Sequence, residues 1–330
     1  MYFRHRPMRP SDVQKCVQII AAHPIVGSRY GSAIRDLQSA WLGLLRSEAI
    51  VARVFEAVEG SQIRMCFVGV SVFVTDDFVR ELKTPPLFWF GPELAKRIMR
   101  GDSPILDNKQ FRDANASAGL NAMVWEGCRH LDFNDHPELA RLTLDVFIET
   151  HRGFRLKELI AAQIESPQRL KFVLKTGAFL WDPENRRYID SLQGDPGHIL
   201  KNPHLVGVTR DLERSRGPWE ASWVGKLFDY HPPRCRFSRS EQRLLELALA
   251  GEAGTNEELA HALSIALPTV KKLWSSIYGR VADSLPELNM EPAPGDKADA
   301  ARGKEKKRPL LAYLREHPEE LRPVSYKLLD

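Results

Sequence analysis

The chain has 330 residues, 43% of them hydrophobic and 27% charged, and a formal net charge of +4. That length makes two domains the natural expectation, and so small a net charge does not by itself argue for nucleic acid. No apolar run reaches the ~18 residues a membrane span needs, and the first twelve residues lack the apolar core of a signal peptide. Cys16, Cys66, Cys128 and Cys235 lie far apart with no CxxC pair, so neither a zinc site nor a disulfide frame is expected. These features predict a reduced, cytoplasmic chain with no metal, no cofactor and no membrane contact.

Taken in chain order, residues 12–20 read as an amphipathic helix and residues 40–45 as part of a second. Residues 50–57 and 65–74 are rich in Val, Phe and Ile and predict neighbouring strands. Pro85-Pro86 and Gly91-Pro92 break the chain before a helix at 92–99. Between these breaks, Phe88-Trp89-Phe90 reads as core. Residues 121–126 and 142–148 predict two more strands, then helices at 154–165 and 168–175, the second closed by Gly177. Residues 178–181 begin a final strand. The order predicts an α+β domain, a central sheet flanked by helices.

Catalytic constellations are absent from this half. His130, His136 and His151 match no metal-ligand spacing, and Asp132, Asp135 and Glu138 read as a solvated turn. Asn115 either caps a helix or lines a pocket, and the sequence does not choose.

Residues 182–235 are rich in Pro, Gly and charge and read as a connector, with Trp219, Trp223 and Phe228 as anchors onto a domain. Residues 290–303 read as a mobile linker. The basic run 302–308 is either solvated linker or a phosphate-contacting arm, and 309–316 a short helix.

Residues 237–281 carry the strongest local signals. Ser238 with Glu241, and Thr255 with Glu258, fit the S/T-x-x-E capping box. Leu259, Ala260 and Leu263 share one helix face. Beyond the break Ser264-Ile265-Ala266, a second helix carries Val270, Leu273, Trp274, Ile277 and Val281 at the spacing of one buried stripe. Its outward face holds Thr269, Lys271, Lys272, Ser275, Ser276 and Arg280, hydroxyls and cations without a carboxylate. A short basic helix held by a second one fits a unit that reads the major groove.

This segment resembles the LuxR-type helix-turn-helix of bacterial transcription regulators. The matching residues are Ser238 and Glu241, Leu244-Leu245, Ala250-Gly251, Asn256-Glu257-Glu258-Leu259-Ala260, Leu263, Ile265, Thr269-Val270-Lys271 and Ile277-Tyr278. It departs from the family by about two extra residues near Ala253-Gly254, by Ser264 in place of the turn glycine, by Ala266 in place of the capping serine, and by Pro268 in the first turn. The resemblance implies double-stranded DNA as partner, with Thr269, Lys271, Lys272 and Ser275 at the groove and phosphates and Thr255 and Asn256 on the backbone.

The N-terminal half resembles the GNAT acyltransferases through Arg9-Pro10 with Asp12, Leu144-Asp145-Val146, and Gly177-Ala178-Phe179. The resemblance places the family's pyrophosphate loop, where backbone amides at a helix N-terminus cradle coenzyme A, at Arg152, Gly153, Arg155 and Lys157. Arg155 and Lys157 stand where the family has glycines, so the loop is degenerate and the cradle is expected to be lost.

Together these features predict a GNAT-like domain at 1–190, a connector at 191–235, a helix-turn-helix at 236–283, a flexible basic linker at 284–308, and a helix and tail at 309–330. The expected function is that of a bacterial DNA-binding transcription regulator. Its N-terminal domain serves as a non-catalytic sensor of an unidentified small-molecule effector or as a homodimerisation platform. The rival classes are a GNAT N-acyltransferase using acetyl-CoA, and an interaction module that has lost its DNA role.

Overall fold

The computed structural model describes residues 1–164, 170, 177–189, 203–215, 223–250, 255–288 and 299–329. The chain divides into two compact units, one of Met1–His151 with Arg155–Phe228, the other of Arg152–Phe154 with Asp229–Asp330.

The first unit is built on an eight-stranded mixed sheet in the order β1-β2-β3-β4-β5-β8-β6-β7. Its strands are β1 Tyr2–Pro7, β2 Ile50–Glu59, β3 Gln62–Val74, β4 Leu120–Arg129, β5 Leu156–Ile164, β6 Phe179–Asp182, β7 Arg187–Ile189 and β8 His204–Thr209. Every neighbouring pair is antiparallel except β4 and β5. The parallel pair needs a crossover, and helix α7 (Pro137–His151) supplies it.

Six helices precede that crossover: α1 Val13–Ala22, α2 Pro24–Tyr30, α3 Ile34–Leu44, α4 Asp76–Leu82, α5 Phe90–Met99 and α6 Asn108–Ala116. Helices α1, α3 and α5 pack together, and Trp41 of α3 meets Trp125 of β4 edge to face at 6.0 Å between ring centroids. Two short helices, α8 (Arg210–Ser215) and α9 (Gly225–Phe228), end the unit. The expected arrangement of an α+β domain, a sheet flanked by helices, is present.

Four local expectations fail, each for a physical reason. Residues 142–148 lie within α7, where Leu139, Val146 and Thr150 are buried at helical spacing. Their Val, Phe and Ile serve a helix face rather than a strand. Residues 156–164 form β5 instead of a helix. Leu, Lys, Glu and Ala favour helix locally, but Leu156, Leu159 and Ile160 are buried between β4 and β8, and tertiary packing overrides propensity. The expected connector contributes an interior strand, since β8 fills the place between β5 and β6. The basic run 302–308 lies inside a helix, not a linker. The helix expected at 168–175 lies outside the described residues except for Leu170, although Gly177 does take a positive φ of 99°.

The second unit is helical. It comprises α10 (Arg239–Ala250), α11 (Asn256–Leu263), α12 (Leu267–Ser284) and α13 (Asp299–Glu316). They close on Phe237, Leu244, Leu259, Val270, Trp274 and Leu310. Buried Glu320 pins the C-terminal segment, accepting from the backbone N–H groups of Arg234 at 2.8 Å and Cys235 at 2.9 Å.

Candidate functional site

In the helical unit both predicted capping boxes form. Ser238 Oγ accepts from the Glu241 N–H at 3.4 Å and Glu241 accepts from the Ser238 N–H at 2.6 Å. The equivalent bonds of Thr255 and Glu258 are 3.1 and 2.9 Å. Ser264 ends α11 in the left-handed conformation, φ 54° and ψ 43°, the geometry that favours glycine. Ala266 precedes α12 without a side-chain cap, and Pro268 stands in the first turn, where a missing N–H costs nothing.

On α12 Val270, Trp274, Ile277 and Val281 are buried, while Thr269, Lys271, Lys272, Ser275 and Ser276 are exposed. Among the described residues, neither Lys271 nor Lys272 is held by a carboxylate. Arg280 differs, because its guanidinium is engaged inside the unit by Glu241 at 3.3 Å and the Arg236 carbonyl at 3.2 Å.

Asn256 is also occupied, accepting from Lys307 Nζ at 3.0 Å. That ammonium lies 4.6 Å from the centroid of the Trp274 ring, and burial holds its pKa below the usual lysine value. Lys307 therefore joins Thr255 and Asn256 at the start of α11. The basic run in the sequence was its only signal.

The predicted pyrophosphate loop, Arg152, Gly153, Arg155 and Lys157, is divided between the two units and forms no cradle. Residues 152–157 follow the C-terminal end of α7, where carbonyls rather than amides project. Gly153 has φ +81°, and a Cβ there would collide with the Glu319 backbone. Arg152 and Gly153 belong to the second unit, where the Arg152 carbonyl accepts from Arg322 Nε at 2.8 Å. Arg155 donates to the Ala116 carbonyl at 3.0 Å, and its N–H donates to Asn115 Oδ1 at 2.8 Å. Asn115 thus lies buried within α6, bonded to the residue before β5, rather than at a helix cap. Lys157 pairs with Asp76. The helix N-terminus that follows a strand end lies instead at residues 130–138, which carry Asp132, Asp135 and Glu138 and no glycine. Among the described residues no group of His, Cys, Asp and Glu is placed to hold a metal.

Sequence reasoning missed the opening between β4 and β5. Their ladder runs only from Leu120↔Leu156 to Met123↔Ile160. Beyond it β4 stays with β3 through Glu126↔Val70, and β5 stays with β8 through Ala162↔Val206, so the two strands part. A bulge leaves Trp125 as the extra residue of β4, a device that re-aims side chains. The fork is lined by Val124, Glu126, Ala161 and Gln163 and encloses a cavity of about 130 Å³, walled also by Arg29 and Trp89. A second cavity of about 70 Å³ borders the same Val124, Glu126 and Gly127 and is closed by Val146, Phe147, Thr150 and His151 of α7.

The lining is pinned. Tyr30 donates its phenol proton to Glu126 Oε1 at 2.7 Å, and burial, with Glu126 beside it, pushes the Tyr30 pKa well up. Gln163 accepts from the Phe90 N–H and donates to the Phe88 carbonyl, both at 2.6 Å. It thereby fixes the turn that presents Trp89, over which the Arg29 guanidinium lies at 4.7 Å. Trp125 Nε1 donates to the Gly91 carbonyl at 3.1 Å. Of the expected aromatic core, Phe90 is buried and Trp89 is a cavity wall.

No known family matches the chain by sequence, and no curated protein does. One solved structure, described as histone acetyltransferase HPA2 and related acetyltransferase from Corynebacterium glutamicum ATCC 13032, is similar over 63% of this chain and 95% of that one. The identity is 12% and the TM-score 0.35, a likeness too slight to carry an argument about this chain. No helix among the described residues is long and apolar enough to cross a membrane.

Proposed function

We propose that the chain is a transcription regulator that binds duplex DNA through α11 and α12, arranged as a LuxR-type helix-turn-helix. The observation that carries this reading is the exposed face of α12. It offers Thr269, Lys271, Lys272 and Ser275 on a helix fixed by a buried stripe, the pattern of an element that enters the major groove. Lys271 and Lys272 contact phosphates, and Thr269 and Ser275 reach the groove. The Thr255 hydroxyl, the Asn256 amide and Lys307 meet the backbone beside α11. Unit 1 serves as sensor or dimerisation platform. One such helix makes few base contacts, each worth ~1–3 kcal/mol of discrimination, so two copies in a homodimer are required to select a site.

Fluorescence anisotropy with duplex DNA at several salt concentrations tests this. Replacing Lys271 and Lys272 together by Ala flattens the log–log salt slope by roughly 2, and a wild-type slope in the double variant overturns the assignment. Light scattering tests the homodimer, which a monomer on its DNA site refutes.

A second reading, a GNAT-like N-acyltransferase, is favoured by the fork. Parallel strands that part leave backbone N–H and C=O groups for an extended, amide-bearing ligand, and Glu126 is placed to accept a proton from an amine. It is also the reading with a solved structural neighbour, though at a likeness too low to weigh. The carboxylates at the start of α7 oppose it, because they stand where a pyrophosphate would need amides. Calorimetry with acetyl-CoA is expected to show weak binding or none, and low-micromolar binding would promote this reading over the first.

A further inference from the structure

At the end of the β4–β5 ladder away from the fork, a cavity of about 240 Å³ lies between the start of α4, helix α6 and the first residues of β4 and β5. We propose that it binds a neutral polyol of monosaccharide size, held through its hydroxyl groups by Thr75, Asp76, Gln110, Asn121 and Lys157.

Size sets the first bound. An engineered cavity of ~150 Å³ takes benzene, so about 240 Å³ admits roughly ten to twelve non-hydrogen atoms, the size of a pentose or hexose. Charge sets the second. Lys157 and Asp76 form an ion pair on the cavity wall, and Asp77 beside them pairs with Arg80 at 2.9 Å. Burial opposes ionisation of Asp76, yet Lys157 and Asn121 hold its pKa below the usual carboxylate value. Both members of the pair are therefore charged, and they cancel. An anion entering here meets two carboxylates and must draw Lys157 from Asp76, while a cation must draw Asp76 from Lys157. Such repulsion selects by rejecting the wrong partner. An uncharged ligand leaves the pair intact.

Hydrogen-bonding capacity sets the third. Asn121 is 2% exposed, and its amide protons go to the Val74 carbonyl at 3.3 Å and Asp76 Oδ1 at 2.7 Å, which leaves its own Oδ1 as an acceptor. Asp76 keeps Oδ2 as a second acceptor. Gln110 Oε1 accepts from the Asp107 N–H at 3.0 Å, leaving the amide protons to donate. The Thr75 hydroxyl accepts from the Phe78 N–H at 3.3 Å and keeps its proton, and the Lys157 ammonium has donors beyond the one directed at Asp76. Acceptors and donors thus line one space. A hydroxyl both donates and accepts, so a ring carrying several meets both kinds at once, whereas phosphate, which only accepts, leaves Asp76 and Asn121 unmet. Val74 and Leu106 add apolar wall for the C–H face of such a ring, the usual mixture of a small-molecule site. The inference rests on unit 1 alone and stands or falls independently of DNA binding.

Ligand-detected NMR titration of the full-length chain tests it. The neutral probes are D-glucose, D-ribose and myo-inositol, and the charged ones are D-glucosamine and D-glucuronate. At least one neutral probe is expected to bind at least threefold more tightly than both charged ones. Lys157→Met strips Asp76 of its partner and should turn the preference toward D-glucosamine. Asp76→Asn releases Lys157 and should turn it toward D-glucuronate. Two folded variants with the preferences of the unmodified protein would place binding elsewhere and overturn the proposal. So would a charged probe as tight as the best neutral one, or no binding by all three neutral probes. The unmodified protein with these five probes decides the matter even where a variant does not fold.

Discussion

The sheet unit holds the same chemical pair twice, in two different settings. Tyr30 donates to Glu126 at 2.7 Å and Tyr188 donates to Glu158 at 2.6 Å, and each phenol is buried. A glycine backs each pair. A Cβ on Gly91 would lie 2.7 Å from the Tyr30 hydroxyl, and one on Gly207 would lie 2.6 Å from that of Tyr188. The difference lies in what faces the carboxylate. Lys83 Nζ sits 2.6 Å from Glu158 and within 5 Å of two rings, 4.6 Å from Trp181 and 4.9 Å from Tyr188. Glu126 instead borders two cavities where β4 leaves β5. The pair at Glu158 is closed by the Lys83 ammonium, and the pair at Glu126 lies on the wall of two cavities.

The largest test of this contrast removes the closing cation. Lys83→Met leaves Glu158 as a buried charge without its partner and should cost about 3–5 kcal/mol of stability at pH 7, read from urea denaturation. Glu126→Gln should cost less, about 1 kcal/mol, since the amide oxygen can still accept from the Tyr30 phenol. Equal costs in the two variants would break the distinction.

A smaller test uses the two glycines. At Gly207 an added methyl also meets the Leu159 carbonyl oxygen at 2.5 Å, a backbone atom that cannot move aside. Gly207→Ala should therefore cost about 2–3 kcal/mol. At Gly91 the nearest atom is the end of the Tyr30 side chain rather than backbone, so Gly91→Ala should cost somewhat less, about 1–2 kcal/mol.

The smallest effect appears only in alkali. Burial first, then the neighbouring glutamate, raises the pKa of both Tyr30 and Tyr188 well above the ordinary value of 10.0. A phenol whose folded pKa is raised contributes nothing that changes with pH below about 10. Above it the unfolded chain loses protons that the folded chain keeps, so stability falls as pH rises. Ultraviolet titration should show both phenols ionising only with unfolding. A non-cooperative, early titration lost in Tyr30→Phe would show that the Glu126 pair is open to solvent, and one lost in Tyr188→Phe would show the reverse.

What the sequence disclosed follows the distance between interacting residues. The capping boxes at Ser238 and Thr255 and the stripe on α12 involve neighbours a few positions apart, and all were legible. Strand β4 was legible from its own composition. The Tyr30–Glu126 bond spans 96 positions, and no local pattern announces it. The fork was hidden because it requires β5, whose Lys, Glu and Ala spell a helix until β4 and β8 bury its Leu and Ile. The loop at 152–157 was misplaced for the same reason. With 142–148 taken as a strand, the following turn looked like the start of a helix, whereas it follows the end of one.

The place of β8 in the sheet has a consequence for how the protein is made. Residues 204–209 are the last strand to leave the ribosome, yet they lie between β5 and β6. Until they arrive, one edge of β5 has open donors and acceptors, and an open edge recruits other chains. Pairing across such a distance in sequence is also slow. Nascent chains halted near residue 190, and expression fragments cut there, should therefore aggregate through β5, while fragments extended past Phe228 should remain in solution.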